Sequence, residues 1–208
     1  MRVFLLHGMA RTTASMSILA YRLRRAGHQT TSFGYHTLVE DVDAMAARLA
    51  RRVTAVLAKD GDGGEQPVPY AVVGHSLGNV ITRLASPDLP PGFARFIMLA
   101  PPNQPPVVAA ALKENFLFRL ITRDAGRKLT DPDFFAQLPQ PDVPTLIIAG
   151  TRGLRAAWLP FHGEVNDGIV RLEETRLDGV PRIEVKGIHS FLMNRRDVCA
   201  EILRFLAG

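Results

Sequence analysis

The sequence predicts an α/β fold, a mostly parallel central sheet with helices on both faces. Three observations carry that reading. Short apolar runs alternate with longer stretches of helical periodicity along most of the chain. One such run, Tyr70 to Val73, turns into a helical stretch through Gly74-His75-Ser76-Leu77-Gly78. Finally, 208 residues at 47% hydrophobic composition supply a proper core and fit one domain, expected over residues 1–208.

Taken in order, Arg2 to Leu6 reads as a buried strand that runs directly into His7-Gly8-Met9. Thr13 to Ala26 reads as a helix with Ile18, Leu19 and Leu23 as apolar positions and Gly27 as its stop. Gln29 to Tyr35 reads as a strand. Asp41 to Ala58 is an amphipathic helix: Val42, Met45, Leu49, Val53, Val56 and Leu57 recur at helical spacing, with Arg48, Arg51 and Arg52 on other faces. Met45 belongs to the core, and Asp60 to Gly64 reads as a surface connection. Leu77 to Ala85 is a helix, Ala94 to Ala100 and Thr145 to Gly150 are buried strands, and Arg182 to Ile188 is strand-like. Asn194 to Leu206 closes the chain as a helix.

Val107 to Asp142 has no obvious strand and contains Phe116, Leu117, Phe118, Leu120, Ile121, Phe134 and Phe135. Two roles fit the segment 101–142: a helical excursion packed on the core, or a small lid and acyl-binding wall over Ser76. Trp158 and Phe161 are further candidates for that pocket.

The chemistry starts at Ser76. A nucleophile held at the tip of a sharp strand-to-helix turn needs neighbours without side chains, and Gly74 and Gly78 supply them. In the architecture of this motif, backbone N–H groups after the nucleophile and after the early strand bind the oxyanion, which selects Leu77 and Met9. A serine hydroxyl needs a base, and the base needs an orienting carboxylate. Chain order puts the acid and then the histidine after the serine. His189 follows the last strand, at the edge where such sheets carry functional groups. Asp167 lies in the segment after Thr145 to Gly150, and Asp178 before the last strand is its rival. Glu173 and Glu174 read as solvated charges.

With these motifs in place, the chain resembles the α/β-hydrolase superfamily, specifically its small lipase- and esterase-like members. The resemblance spans nearly the whole chain. It rests on Leu6-His7-Gly8-Met9, Gly74 to Gly78, Ala100-Pro101-Pro102-Asn103-Gln104, Asn166-Asp167-Gly168-Ile169-Val170 and His189-Ser190-Phe191. In such relatives an N-D-G-x-V segment carries the catalytic acid, which implies Asp167 independently of chain order. The segment equivalent to Ala100 to Gln104 often continues into Gly-Ser in relatives, whereas here Pro105-Pro106 follows. The resemblance implies a serine esterase or lipase that needs no cofactor. A thioesterase or acyltransferase could use the same residues, and a binding protein of this fold would be expected to lose one of them.

The net charge of +5 comes largely from arginines spread along the chain, such as Arg24-Arg25, Arg51-Arg52 and Arg195-Arg196. That pattern fits solvated helix faces and weak attraction to anionic lipid or an acidic substrate, and argues against nucleic acid. The histidines lack metal-ligand spacing. Cys199 is the single cysteine, so no intramolecular disulfide forms, and it reads as buried helix packing. There is no leader-like start and no apolar run of membrane-spanning length, from which a cytoplasmic protein with at most peripheral membrane contact is expected.

Overall fold

Continuous burial along β1, β3 and β5, on both faces of the sheet, is the feature from which the architecture follows. The computed structural model describes residues 1–60, 67–112 and 114–208, with side chains for all but 60 and 116–121. Six parallel strands lie in the order β2-β1-β3-β4-β5-β6: β1 (Arg2–Leu6), β2 (Gln29–Phe33), β3 (Tyr70–His75), β4 (Phe93–Leu99), β5 (Thr145–Gly150) and β6 (Arg182–Val185). The helices are α1 (Ser17–Arg25), α2 (Val42–Asp60), α3 (Leu77–Ala85), α4 (Val107–Leu112), α5 (Phe116–Leu129), α6 (Pro132–Gln137) and α7 (Arg196–Ala207).

A strand's side chains alternate between faces, so a sheet covered on both sides needs two cores. Phe4, Tyr70, Val72, Phe96, Met98 and Ile147 enter one core with α2, α3, α5 and α6. Val3, Leu5, Ala71, Val73, Ile97 and Ile148 enter the other with α1 and α7. Met45 is fully buried in the first core, and Cys199 is buried in the second.

Several local expectations shift. Ile18 is exposed at 47%, and Met16, Leu19, Ala20 and Leu23 form the buried stripe of α1 instead. The cause is a 3-10 turn at Thr13–Met16, which delays the α-helix to Ser17 and sets the i, i+3, i+4, i+7 stripe from Met16. Gly27, at φ 89°, then closes α1: His28 N–H donates to Leu23 O and Gly27 N–H to Arg24 O, both at 3.0 Å. Strand β2 stops at Phe33, and β6 stops at Val185, where Gly187 N–H turns back onto Val185 O (2.7 Å).

The segment 101–142 carries α4, α5 and α6, and its second half packs on the sheet. Ala125, Leu129, Phe135 and Leu138 are buried in the α2–α3 core. A kink at Arg123 divides α5, and Asp131 caps α6 by accepting from Asp133 N–H (2.9 Å) ahead of Pro132. The side chains of Phe116, Leu117, Phe118, Leu120 and Ile121, and the connection beyond Asp60, lie outside the described residues.

Two charged side chains tie this segment down. Arg83 of α3 is buried and donates to Pro139 O (2.9 Å), Leu138 O (3.0 Å) and Asn103 Oδ1 (3.2 Å). Burial pushes its pKa down to about 10, so it stays charged at neutral pH. Glu174 corrects the expectation of a solvated charge: it is 2% exposed and accepts from Val107 N–H (2.9 Å), Arg171 N–H (2.7 Å) and Arg171 Nε (2.9 Å). Glu173 is the solvated neighbour, paired with Arg182 at 3.3 Å. Glu174→Ala strands these donors and is expected to cost about 3 kcal/mol of stability, read as a lower urea midpoint at unchanged slope. A midpoint within error of the parent would show that Glu174 carries no such load.

Candidate active site

The carboxyl ends of β1 and β3 lie side by side, with Leu6 paired to Gly74. The chain leaves β1 toward β2 and leaves β3 toward β4, on opposite sides, and α1 and α3 lie on opposite faces. Such a reversal opens a crevice at the strand ends, where open α/β sheets place their sites.

Ser76 sits at that point with φ 53° and ψ −120°, a backbone rarely adopted by a residue with a side chain. Its N–H donates to Leu99 O (2.9 Å). Its carbonyl accepts from Asn79 N–H (3.0 Å) and Asn79 Nδ2 (3.1 Å), and the same Nδ2 reaches Leu99 O (3.1 Å). Asn79 is fully buried, so the turn is pinned from both sides. The glycines are required by contact. A Cβ at Gly74 would lie 2.4 Å from Asn79 Oδ1, and one at Gly78 would lie 2.8 Å from Leu6 Cβ. One at Gly8 would lie 2.8 Å from His75 Nδ1 and 3.2 Å from Ser76 Cβ.

Leu77 opens α3, where the first N–H groups have no intrahelical acceptor and the helix dipole favours negative charge. Met9 follows Gly8, which is in contact with Ser76. Both amides read from the sequence as oxyanion donors are therefore next to the elbow in space or in chain.

His189 begins the 3-10 turn after β6 and is buried. Its Nδ1 is 2.7 Å from Asp167 Oδ2, and its N–H donates to Asp167 O (2.8 Å). The other carboxylate oxygen of Asp167 accepts from Ile169 N–H (3.0 Å) and Val170 N–H (2.8 Å). A carboxylate oxygen accepts, so His189 Nδ1–H is the donor of this bond, which leaves Nε2 as the ring nitrogen not engaged by Asp167. Asn166 holds the loop by donating to Leu154 O and Glu164 O, both at 2.9 Å. Asp178, the rival acid, has a 97% exposed side chain with Arg176 at 3.7 Å and stands apart from His189.

The sequence assigns His75 no role beyond its place in the Gly74 to Gly78 motif. The structure gives it a task. It is buried, its Nε2 lies 3.0 Å from His189 O, and its ring centroid is 4.9 Å from that of His189. Desolvation, with His189 nearby, pushes its pKa well below the ordinary histidine value. It is thus neutral, with Nε2–H donating to the backbone of His189, while its Nδ1 has no hydrogen-bond partner among the described residues. His7 is likewise buried, stacked on Tyr35 at 4.0 Å, and held neutral by desolvation. Tyr35 N–H reaches His7 Nε2 (3.4 Å), so His7 Nδ1–H donates to Gly8 O (2.8 Å), and the Tyr35 hydroxyl donates to His7 O. Of the two aromatic candidates for the pocket, Phe161 is buried and Trp158 is 83% exposed. Among the described residues, no group of three or more His, Cys, Asp or Glu could hold a metal ion, and no helix is long and apolar enough to cross a membrane.

Residues 3–199 match the family model described as "Alpha/beta hydrolase family". The chain belongs to the alpha/beta hydrolase family. Among solved structures it is similar to the mature form of a lipase from Bacillus licheniformis, at 16% identity and a TM-score of 0.78, covering 99% of this chain and 91% of that one. It is also similar to an esterase from Exiguobacterium antarcticum, at 13% identity and a TM-score of 0.71, covering 100% and 92%. A third is an extracellular alpha/beta-hydrolase from a Paenibacillus species, at 16% identity and a TM-score of 0.61, covering 100% and 99%. No curated protein matches by sequence. At these identities the likeness is one of fold.

The buried neutral histidines give this hydrolase a signed pH dependence. The unfolded chain takes up protons near pH 6.5, while folded His7 and His75 resist them. Stability is therefore full above that pH and falls as pH drops, by up to about 1.4 kcal/mol per pH unit for each histidine. Melting temperatures from pH 8 to pH 5 should decline on the acid side, and His75→Gln should flatten the decline. An equal slope in the variant would remove His75 from this account.

Proposed function

We propose that this alpha/beta hydrolase cleaves carboxylic esters through Ser76, His189 and Asp167. The observation that carries the reading is the buried His189–Asp167 pair, at 2.7 Å, on the edge of the sheet that also bears the strained Ser76. In this reading His189 Nε2 takes the Ser76 Oγ proton as the oxygen attacks the acyl carbonyl. The new Oγ–C bond forms while the carbonyl oxygen becomes an oxyanion held by the Met9 and Leu77 amides, donors of a kind worth about 3 kcal/mol each in related chemistry. His189 then protonates the leaving alcohol as the old ester bond breaks. Water, deprotonated by His189, attacks the acyl-enzyme and releases the acid and Ser76. Throughout, Asp167 orients the imidazole and offsets its charge when protonated.

A thioesterase or an acyltransferase would use the same residues, with a thiol leaving or an alcohol accepting the acyl group. A non-catalytic binder of this fold has little support, because the serine, acid and histidine are all present.

The test is hydrolysis of p-nitrophenyl esters from acetate to palmitate. Ser76→Ala should lower kcat by at least about 10⁴-fold with the fold intact. Asp167→Asn should lower it by about 10³- to 10⁴-fold and Asp178→Asn should leave it unchanged. Activity retained in Ser76→Ala would reject Ser76 as nucleophile. A folded parent that cleaves no ester but cleaves acyl thioesters, or transfers acyl groups to an alcohol, would shift the assignment to the related chemistries.

A further inference from the structure

Beside His189 the surface is apolar and positively charged at once. Two neighbouring hollows, of about 250 and 210 Å³, share Arg152 and Ile188 and so form one trough. His189 opens into the first hollow, next to Leu154 and Ile169. The second adds Lys186, Phe191 and Arg195. Leu154, Ile169, Ile188 and Phe191 are each at least 41% exposed. Single exposed apolar side chains are ordinary, but four along one trough mark a contact surface.

The charge along the trough is unbalanced. Arg152, Lys186 and Arg11 form no ion pair among the described residues. Arg11 lies 5.9 Å from the Phe191 ring centroid and donates to Ser190 O (3.2 Å), which extends the cationic rim past His189. The nearby acids are engaged: Asp167 is buried on His189, and Asp197 is held by Arg195 at 2.5 Å.

We propose that this trough seats the protein on an anionic lipid surface. Arg11, Arg152 and Lys186 meet headgroup phosphates, and Leu154, Ile169, Ile188 and Phe191 enter the acyl layer below them. Charge complementarity selects this occupant. A second copy of the chain across a two-fold axis would set the same cations against each other. A soluble anion would satisfy the cations and leave the apolar side chains in water. Docking by this face would open His189 onto the lipid, so the functional meaning of the surface rests on the ester-hydrolase reading, while the binding itself does not.

The experiment uses Ser76→Ala protein, which cannot consume the vesicles. It is co-sedimented with vesicles of phosphatidylcholine alone and of equal parts phosphatidylcholine and phosphatidylglycerol. Binding is expected to the mixed vesicles only and to weaken with salt. Adding Lys186→Gln should weaken partitioning about fivefold, and adding Phe191→Ser about tenfold or more. Melting temperature and cleavage of soluble p-nitrophenyl acetate by each variant with Ser76 restored show that the fold survives. No binding, equal binding to both vesicle types, or binding indifferent to Phe191→Ser would overturn the proposal. Competition by millimolar glycerol phosphate would reassign the trough to a soluble anion, and a dimer abolished by Phe191→Ser would reassign it to a second copy. Vesicle binding by a protein inert toward soluble esters would leave the docking surface standing and strike the ester-hydrolase reading alone.

Discussion

The close approach of the β1 and β3 ends sets the rest of the molecule. Gly78 lies against Leu6 and His7 O, Gly8 against His75 and Ser76, and Gly74 against Asn79, each nearer than a Cβ would permit. That contact lets α3 start directly behind a strained serine, with its unpaired N–H groups at the crevice. The strain is held by bonds that an ordinary turn lacks. Leu99 O accepts from Ser76 N–H and Asn79 Nδ2, so β4 also braces the elbow. A fold with two full cores supplies the rigidity that such a turn requires.

The second half of the site is built by a different device. Asp167 and His189 come from two loops 22 residues apart, and the loops are joined by backbone as well as side chain. His75 reaches across 114 residues to the carbonyl of His189, so the elbow and His189 are linked without involving the serine hydroxyl. Neutrality is what allows this. A charged His75 would repel His189 whenever that ring took up a proton, and burial keeps the charge away.

Much of this was legible in the sequence, and the reasons are local. β3, α3 and β5 announce themselves because a buried strand of a parallel sheet is a continuous apolar run, and the Gly74 to Gly78 turn encodes its own backbone. Chain order favours Asp167 over Asp178 as the acid, and in the structure Asp167 is buried while Asp178 is exposed. What escaped depends on distant partners. Glu174 lies beside Glu173 in a polar stretch, and it becomes a buried acceptor because Val107, 67 residues away, joins Arg171 in donating to it. Arg83 looks like any helix arginine until the carbonyls of Leu138 and Pro139 surround it. Ile18 was misplaced because a 3-10 turn changes the phase of a helix without changing its composition.

Glu174 also joins two parts of the chain that would otherwise open separately. It holds the first N–H of α4 and both the backbone and the guanidinium of Arg171, and Arg171 pairs with Asn166 across the turn that carries Asp167. The start of α4 and the loop that carries Asp167 are therefore fastened to the same carboxylate. Loss of that carboxylate would loosen both segments at once, so their local stabilities draw on one side chain.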